Sequence, residues 1–369
     1  MIQRLYISNF RCLVNFDLNL AAKPSALLIG KNGAGKSTVG IALEILQKIA
    51  RGTNRVGQLV KPRDLNRNRR DEPLRLELEV VLDGKQYQYV LALELPEDFK
   101  ELRVKEERLS SAGKPVFSRD VSQVELAKTA KESAARFFVD WHLVALPIIQ
   151  ERSELDPLFI FKRWLSQLLI LAPIPSLIIG ESTSEALLPD REVSNIGEWF
   201  AGLIAYSPAT YSQIDRYLKQ VMPDLWDIKN PLVATDSRSI QVQFRADAAS
   251  LVLPFGDLSD GEKCFFISAL VLAANESYGP IFCFWDEPDN YLTIGEVGHF
   301  ITTMRRSFET GGQMLVTSHN PEVLRRFSSE NIILLHRRSH IEHTQIRLVS
   351  ELDVTGDLAA AMIRGDLEP

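Results

Sequence analysis

Residues 25–38 read SALLIGKNGAGKST, and the sequence changes character at its glycines. SALLIG, ending at Gly30, is a short apolar run of buried-strand type. From Ser37, STVGIALEILQKIA carries apolar residues at helical spacing and meets no strong breaker until Gly52. Between the two, Gly30, Lys31, Asn32, Gly33, Ala34, Gly35, Lys36 and Ser37 fit GxxxxGK[ST] in full, with Thr38 following. A strand before and an amphipathic helix after is the setting in which this pattern wraps a phosphate. The glycines let successive N–H groups turn inward, and the helix N-terminus adds partial positive charge. Lys36 is placed for the β- and γ-phosphates of a nucleotide and Ser37 for Mg²⁺.

Outward from this loop, Ile2, Leu5 and Ile7 mark a first strand and LVNFDLNL (13–20) a second. KPRDLNRNRRDEP (61–73) is a polar, basic loop. LRLELEVVL and QYQYVLALEL alternate with period two around Asp83-Gly84, which predicts a hairpin. From 121 to 224 the periodicity turns helical, in VELAKTAKESAARFF, LFIFKRWLSQLLILA and NIGEWFAGLIAY, with proline-bearing breaks such as LAPIPS. This stretch is expected to be a helical lobe projecting from the sheet, meeting a partner or a like subunit rather than nucleotide. Strands return at SIQVQF and SLVLPF, and the remainder alternates helix and strand as parallel βαβ units do. The expected class is α/β, a mixed sheet with an N-terminal antiparallel β-subdomain and a helical insertion. The expected boundaries are 1–120 for an N-terminal lobe, 121–224 for the insertion and 225–369 for a C-terminal lobe.

Three further stretches carry chemistry. PIFCFWDEPDN (280–290) is an apolar strand ending in two carboxylates, where a parallel sheet places its ligand site. Asp286 suits Mg²⁺ held through water, and Glu287 suits orienting or deprotonating an attacking water. QMLVTSHNPEV ends the following strand at His319, 32 positions after Glu287 and on the same sheet edge, within reach of a γ-phosphate. LSDGEK (258–263) opens a helix with Ser259 or Asp260 as cap, and with Gly261 it forms an anion site that has no local anion.

The three cysteines, Cys12, Cys264 and Cys283, lie far apart without metal-ligand spacing and read as buried thiols of a cytoplasmic protein. The start lacks a signal peptide, and no apolar run approaches a membrane span. A net charge of −6 provides no global field for nucleic acid. Local pairs such as Arg305 and Arg306, Arg325 and Arg326, or Arg337 and Arg338 leave DNA open as a partner.

In order, the phosphate loop, LSDGEK, the DE strand and the strand ending in histidine resemble the ATP-binding-cassette class. Within it the chain is similar to the group of structural-maintenance, RecF and double-strand-break-repair heads and the overcoming-lysogenization-defect (OLD) ATPases. The opening IQRLYISNFRCLVNFDLNL running into LLIGKNGAGKST carries that resemblance, with LSDGEK as signature, DEPDNYL as Walker B and D-loop, and SHNPEVL as switch-histidine segment. The resemblance implies an ATPase using ATP and Mg²⁺, with two heads facing head to tail as a homodimer or higher homo-oligomer. It implies that Ser259 and Gly261 cap the γ-phosphate in the partner's loop and that Arg11, of the NFR motif, touches nucleotide. Asp289 would cross the interface, and Gln150, after VALPII, is a candidate Q-loop glutamine. The insertion is too short for coiled-coil arms, and neither a CxxC hook nor the Toprim nuclease fused in OLD enzymes is seen. Three readings stay open: an ATPase governing a separately encoded effector such as an antiphage nuclease, a DNA-clamping repair ATPase, and a nucleotide-gated scaffold.

Overall fold

The computed structural model describes residues 1–127, 135–352 and 358–364. Strands β1 (Ile2–Ser8), β2 (Phe16–Asn19) and β3 (Ser25–Ile29) precede helix α1 (Lys36–Ala50) and a short turn of helix, α2 (Val56–Leu59). There follow β4 (Leu74–Leu82), β5 (Lys85–Glu94), β6 (Arg103–Ser111), β7 (Lys114–Asp120), β8 (Gln123–Leu126) and β9 (Ala135–Phe138). All but β3 join one antiparallel sheet in the order β2-β1-β4-β5-β6-β7-β8-β9. The β4–β5 turn falls at Asp83 and Gly84, both with positive φ, so the hairpin read from the alternation is present.

Beyond β9 come α3 (Pro157–Ser166), β10 (Leu169–Leu171), β11 (Glu181–Ser182), α4 (Ile196–Tyr206) and α5 (Thr210–Val221). Small strands β12 (Leu225–Lys229), β13 (Leu232–Ala234), β14 (Ser237–Ser239), β15 (Gln241–Ala246) and β16 (Ala249–Pro254) lead into the long helix α6 (Asp260–Tyr278). The chain then runs through β17 (Phe282–Trp285), α7 (Ile294–Thr310), β18 (Gln313–Thr317), α8 (Pro321–Leu324), β19 (Ile332–His336), β20 (Gln345–Leu348) and α9 (Leu358–Arg364).

The central sheet has the order β10-β17-β18-β3-β19-β20, parallel except for its last pair. Its strands from β10 to β19 are buried on both faces, as a sheet covered on both sides demands, while the edge strand β20 exposes Gln345 and Arg347. Leu28, Phe284 and Leu315 point to one side, into a core shared with α1, α3 and the antiparallel sheet. Leu27, Trp285 and Val316, each one residue away, point to the other side, into a core shared with α4, α5, α6 and α7. The phosphate loop, the DE pair and the strand ending in histidine therefore all leave the same edge of one rigid sheet.

The expected helical lobe needs correction. Gln123–Leu126 and Ala135–Phe138 are antiparallel strands in register Gln123 with Phe138, not parts of a helix; the rest of that stretch, 128–134, lies outside the described residues. Sheet-edge pairing overrides the helix propensity of an Ala/Lys/Glu-rich sequence. Leu169–Leu171 pairs in parallel with Cys283–Trp285 and supplies an edge strand of the central sheet. There an unbroken apolar run, LLILA, satisfies helix and buried-strand patterns equally. NIGEWFAGLIAY is helical, as α4.

Candidate functional site

The phosphate loop is shaped by two glycines. A Cβ on Gly30, φ 144°, would lie 2.1 Å from the Leu335 carbonyl oxygen, so only glycine lets β3 turn this close to β19. Gly35, φ 104°, starts α1 without any side-chain cap, and a Cβ there would lie 2.9 Å from the Cys12 sulfur. The first N–H groups of α1 are thus left for an anion. Lys36 is buried; its Nζ donates to the Gly30 carbonyl at 2.8 Å and meets His319 Nε2 at 2.7 Å. Burial lowers the Lys36 pKa, opposed by the charges of Glu287 and Asp286. Ser37 is exposed beside it, while Lys31, Asn32 and Gly33 form the open rim of the loop.

At the end of β17 two adjacent carboxylates are sent in different directions. Asp286 Oδ1 accepts from the Thr317 hydroxyl at 2.6 Å, and Asp286 Oδ2 lies 4.0 Å from Arg191 Nη2. Glu287 has a left-handed backbone, φ 51°, pinned where its N–H donates to Thr317 Oγ1 at 2.9 Å. Its Oε1 lies 3.2 Å from His319 Nε2, and its Oε2 accepts from Asn290 Nδ2 at 2.8 Å. His319 Nε2 therefore sits between an ammonium and a carboxylate. Burial lowers its pKa, and the neighbouring Lys36 charge lowers it further, partly offset by Glu287, Asp289 and Asp286. This shift favours the neutral imidazole, whose Nε2 can accept from Lys36 when its proton is on Nδ1.

Ser259 caps α6 in a capping box: its Oγ accepts from Glu262 N at 3.3 Å, and its own N–H donates to Glu262 Oε2 at 2.7 Å. The residue is exposed, and its bonds stay within this turn. Gly261 lies against the segment after the DE pair, since a Cβ would come 3.0 Å from the Tyr291 carbonyl oxygen. Asp289, in that segment, is buried, its carboxyl pushed up by burial and its Oδ1 without a partner.

Two expected members do not join the cluster. Arg11 is turned to Asp64, to which its Nε donates at 3.0 Å, and it lies over the Phe10 ring. Gln150 is exposed in a groove with Pro115, Phe117 and Arg152, whereas the strand beside β17 is β10, which ends at Leu171 and is followed by Ala172 and Pro173. Its apolar lead-in, VALPII, does not form a central strand. Other residues take part without having been expected. Thr317 holds the Asp286 carboxylate and the Glu287 backbone N–H; its signal is a hydroxyl closing an apolar strand. Arg191 approaches Asp286 from a loop in which nothing distinguishes it.

A segment from Arg337 to Thr344 straps the phosphate loop from the other side. Arg337 Nη1 donates to the Gly33 carbonyl at 3.2 Å, Thr344 Oγ1 to the Ala34 carbonyl at 2.8 Å, and Thr344 N to the Cys12 carbonyl at 2.9 Å.

The family described as "AAA domain, putative AbiEii toxin, Type IV TA system" matches over residues 25–325. The chain belongs to this family of AAA-domain ATPases. A second AAA-domain family matches residues 4–45. No curated protein matches the chain significantly. Among solved structures, an Smc head bound to the C-winged helix domain of ScpA is 14% identical, with a TM-score of 0.56 over 95% of this chain and 99% of that one. An Smc head domain with an extended coiled coil, bound to the C-terminal domain of ScpA from Pyrococcus furiosus, is 12% identical, with a TM-score of 0.55 over 99% of each chain. At such identities the likeness is one of fold: this AAA-domain ATPase has the α/β head architecture of the Smc structures. No helix among the described residues is long and apolar enough to cross a membrane.

Proposed function

We propose that this chain is a Mg²⁺-dependent ATP hydrolase whose site closes between two head-to-tail copies, and whose turnover sets the conformation of a separate effector protein. The continuous line from Lys36 through His319 to Glu287 carries this reading, since it joins a phosphate-seeking cation to a carboxylate suited to activating water. The residues present fit Mg²⁺ with a nucleotide phosphate. The N-terminus of α1 is uncapped, the Ser37 hydroxyl is exposed, and Asp286 offers a carboxylate already oriented by Thr317. Mg²⁺ is commonly held by one or two such oxygens together with phosphates, and it neutralises the developing charge there.

On this reading Lys36 exchanges His319 for a β- or γ-phosphate oxygen. His319, kept neutral by burial, then turns its ring toward the terminal phosphate. Glu287 Oε1 orients the attacking water and takes its proton, with Oε2 steadied by Asn290. The exposed Ser259 and the half-buried Gly261 at the start of α6 complete the site of a second copy. A partner protein is supported by the family description, which names a toxin of a type IV TA system, and by Smc heads whose structures hold domains of ScpA. The effector we favour is a nuclease of a prokaryotic antiphage system.

The basic residues offer DNA less than their number suggests. Arg305 donates to Ser25 and lies over Phe327, Arg326 is paired with Glu322, and Arg69 with Asp71 and Glu72. Glu287→Gln tests the hydrolytic reading, because it keeps the shape and loses the base. Phosphate release should fall by about 10² or more while ATP stays bound. Hydrolysis at the parental rate would remove Glu287 from this role.

A further inference from the structure

The strap from Arg337 to Thr344 connects β19 to β20 and is fastened to the phosphate loop more firmly than a hairpin connection requires. Arg337 Nη1 and Thr344 Oγ1 bind consecutive loop carbonyls, those of Gly33 and Ala34. The Arg337 guanidinium also gathers the carbonyls of His340 and Glu342, at 2.8 Å for the latter. Arg67 Nη1 reaches the Ile341 carbonyl at 3.2 Å from the 61–73 loop. With its carbonyls tied down in this way, the strap leaves the His340 side chain exposed over the loop. Its Nε2 would lie only 3.6 Å from a Cβ on Gly33.

The position of the strap tells which part of a nucleotide it would meet. Lys36, His319 and Glu287, the groups suited to a terminal phosphate, lie toward β17 and β18. The strap leaves β19, on the opposite flank of β3. A triphosphate lying along the loop with its terminal end at Glu287 must direct its nucleoside end away from β17, toward the strap. Of the two exposed histidines of the strap, His340 and His343, it is His340 whose ring nitrogen lies next to Gly33 of the loop.

We propose that the Arg337–Thr344 strap forms the wall of the nucleoside end of the site, with the His340 ring stacking on the base of a bound nucleoside triphosphate. This rests on the phosphate loop holding a nucleotide as described above. The loop then grips any triphosphate, and the strap supplies the affinity that belongs to the nucleoside.

The test compares ATP with inorganic triphosphate by calorimetry in the full-length protein, each with Mg²⁺. His340→Ala should weaken ATP about tenfold, the order of one lost base–ring stack, and leave triphosphate unchanged. His340→Phe, which keeps a ring, should restore ATP affinity. Equal weakening of both ligands would show that His340 acts through the loop and would overturn the proposal, as would unchanged ATP affinity or no rescue by phenylalanine. Thermal unfolding of each variant verifies folding, which an exposed residue should not disturb. If the wild type bound neither ligand, the nucleotide reading itself would fall and this one with it. Lys36→Ala losing both ligands while His340→Ala loses only ATP would support the two together.

Discussion

Glu287 is the residue at which strain and function meet. A non-glycine residue at φ 51° costs on the order of 1 kcal/mol, and here it swings the side chain from the course of β17 toward His319. Thr317, fully buried, pins this conformation by accepting from the Glu287 N–H and donating to Asp286. Thr317→Val keeps the volume and removes both bonds, so hydrolysis and Mg²⁺ dependence should weaken by about 10–100-fold, as with other groups that orient metal ligands. Rates measured over a Mg²⁺ titration check this, and an unchanged titration curve would exclude the role. His319 gives a pH signature. Its folded pKa lies below the unfolded value of 6.5, so the folded state binds fewer protons. Its contribution to stability is present above pH 6.5 and is lost as pH falls through the lower folded value. Unfolding midpoints of wild type minus those of His319→Gln should therefore decrease from pH 7.5 downward through that window; a flat difference would contradict it. Lys36, Asp286, Glu287 and His319 were legible because each ends or follows an apolar strand in a fixed pattern. Thr317 and Arg191 were not, because their roles depend on which strand and loop lie alongside, which spacing does not encode.

At the scale of elements, α6 carries the double use of Ser259. The side chain closes a capping box with Glu262, and the same residue is exposed at the head of a helix with a buried body. Ser259→Ala should cost about 1 kcal/mol through the lost cap, read from denaturant unfolding. An unchanged midpoint would mean that the box contributes nothing. Most elements were readable: the β4–β5 hairpin and α1 from clean periods, α6 and the strands from β17 to β19 from apolar runs set between breakers. The failures have two causes: β8 and β9 extend a meander, β8 on its neighbour β7 and β9 on β8, whereas β10 pairs with β17, far along the chain. Local propensity then points to helix where the sheet edge holds a strand. The strap escaped notice for a related reason, since Arg337 and Thr344 reach back some three hundred positions to Gly33 and Ala34.

At the scale of the whole molecule, the question is whether Ser259 serves its own phosphate loop or that of a second copy. Within one chain its bonds are spent on its own turn, and Gly261 packs against Tyr291. Ser259→Arg should therefore leave ATP binding nearly intact, because the phosphate loop is untouched, yet abolish hydrolysis by blocking closure of the pair. Mixing it with Lys36→Ala gives the sharper measurement. In a mixed dimer one site is defective twice over, with the altered loop facing the altered signature. The other site unites an intact loop with an intact signature. If sites fire independently, two inactive proteins should recover up to about a quarter of wild-type turnover, since random pairing puts one live site in half of the dimers. A signature acting within its own chain allows no recovery at any ratio. Strict coupling between sites would also suppress recovery, so ATP-dependent dimerisation of each variant is followed by light scattering in parallel. A Ser259→Arg protein that still dimerises on ATP and still hydrolyses it would refute the shared site, whatever the mixture does.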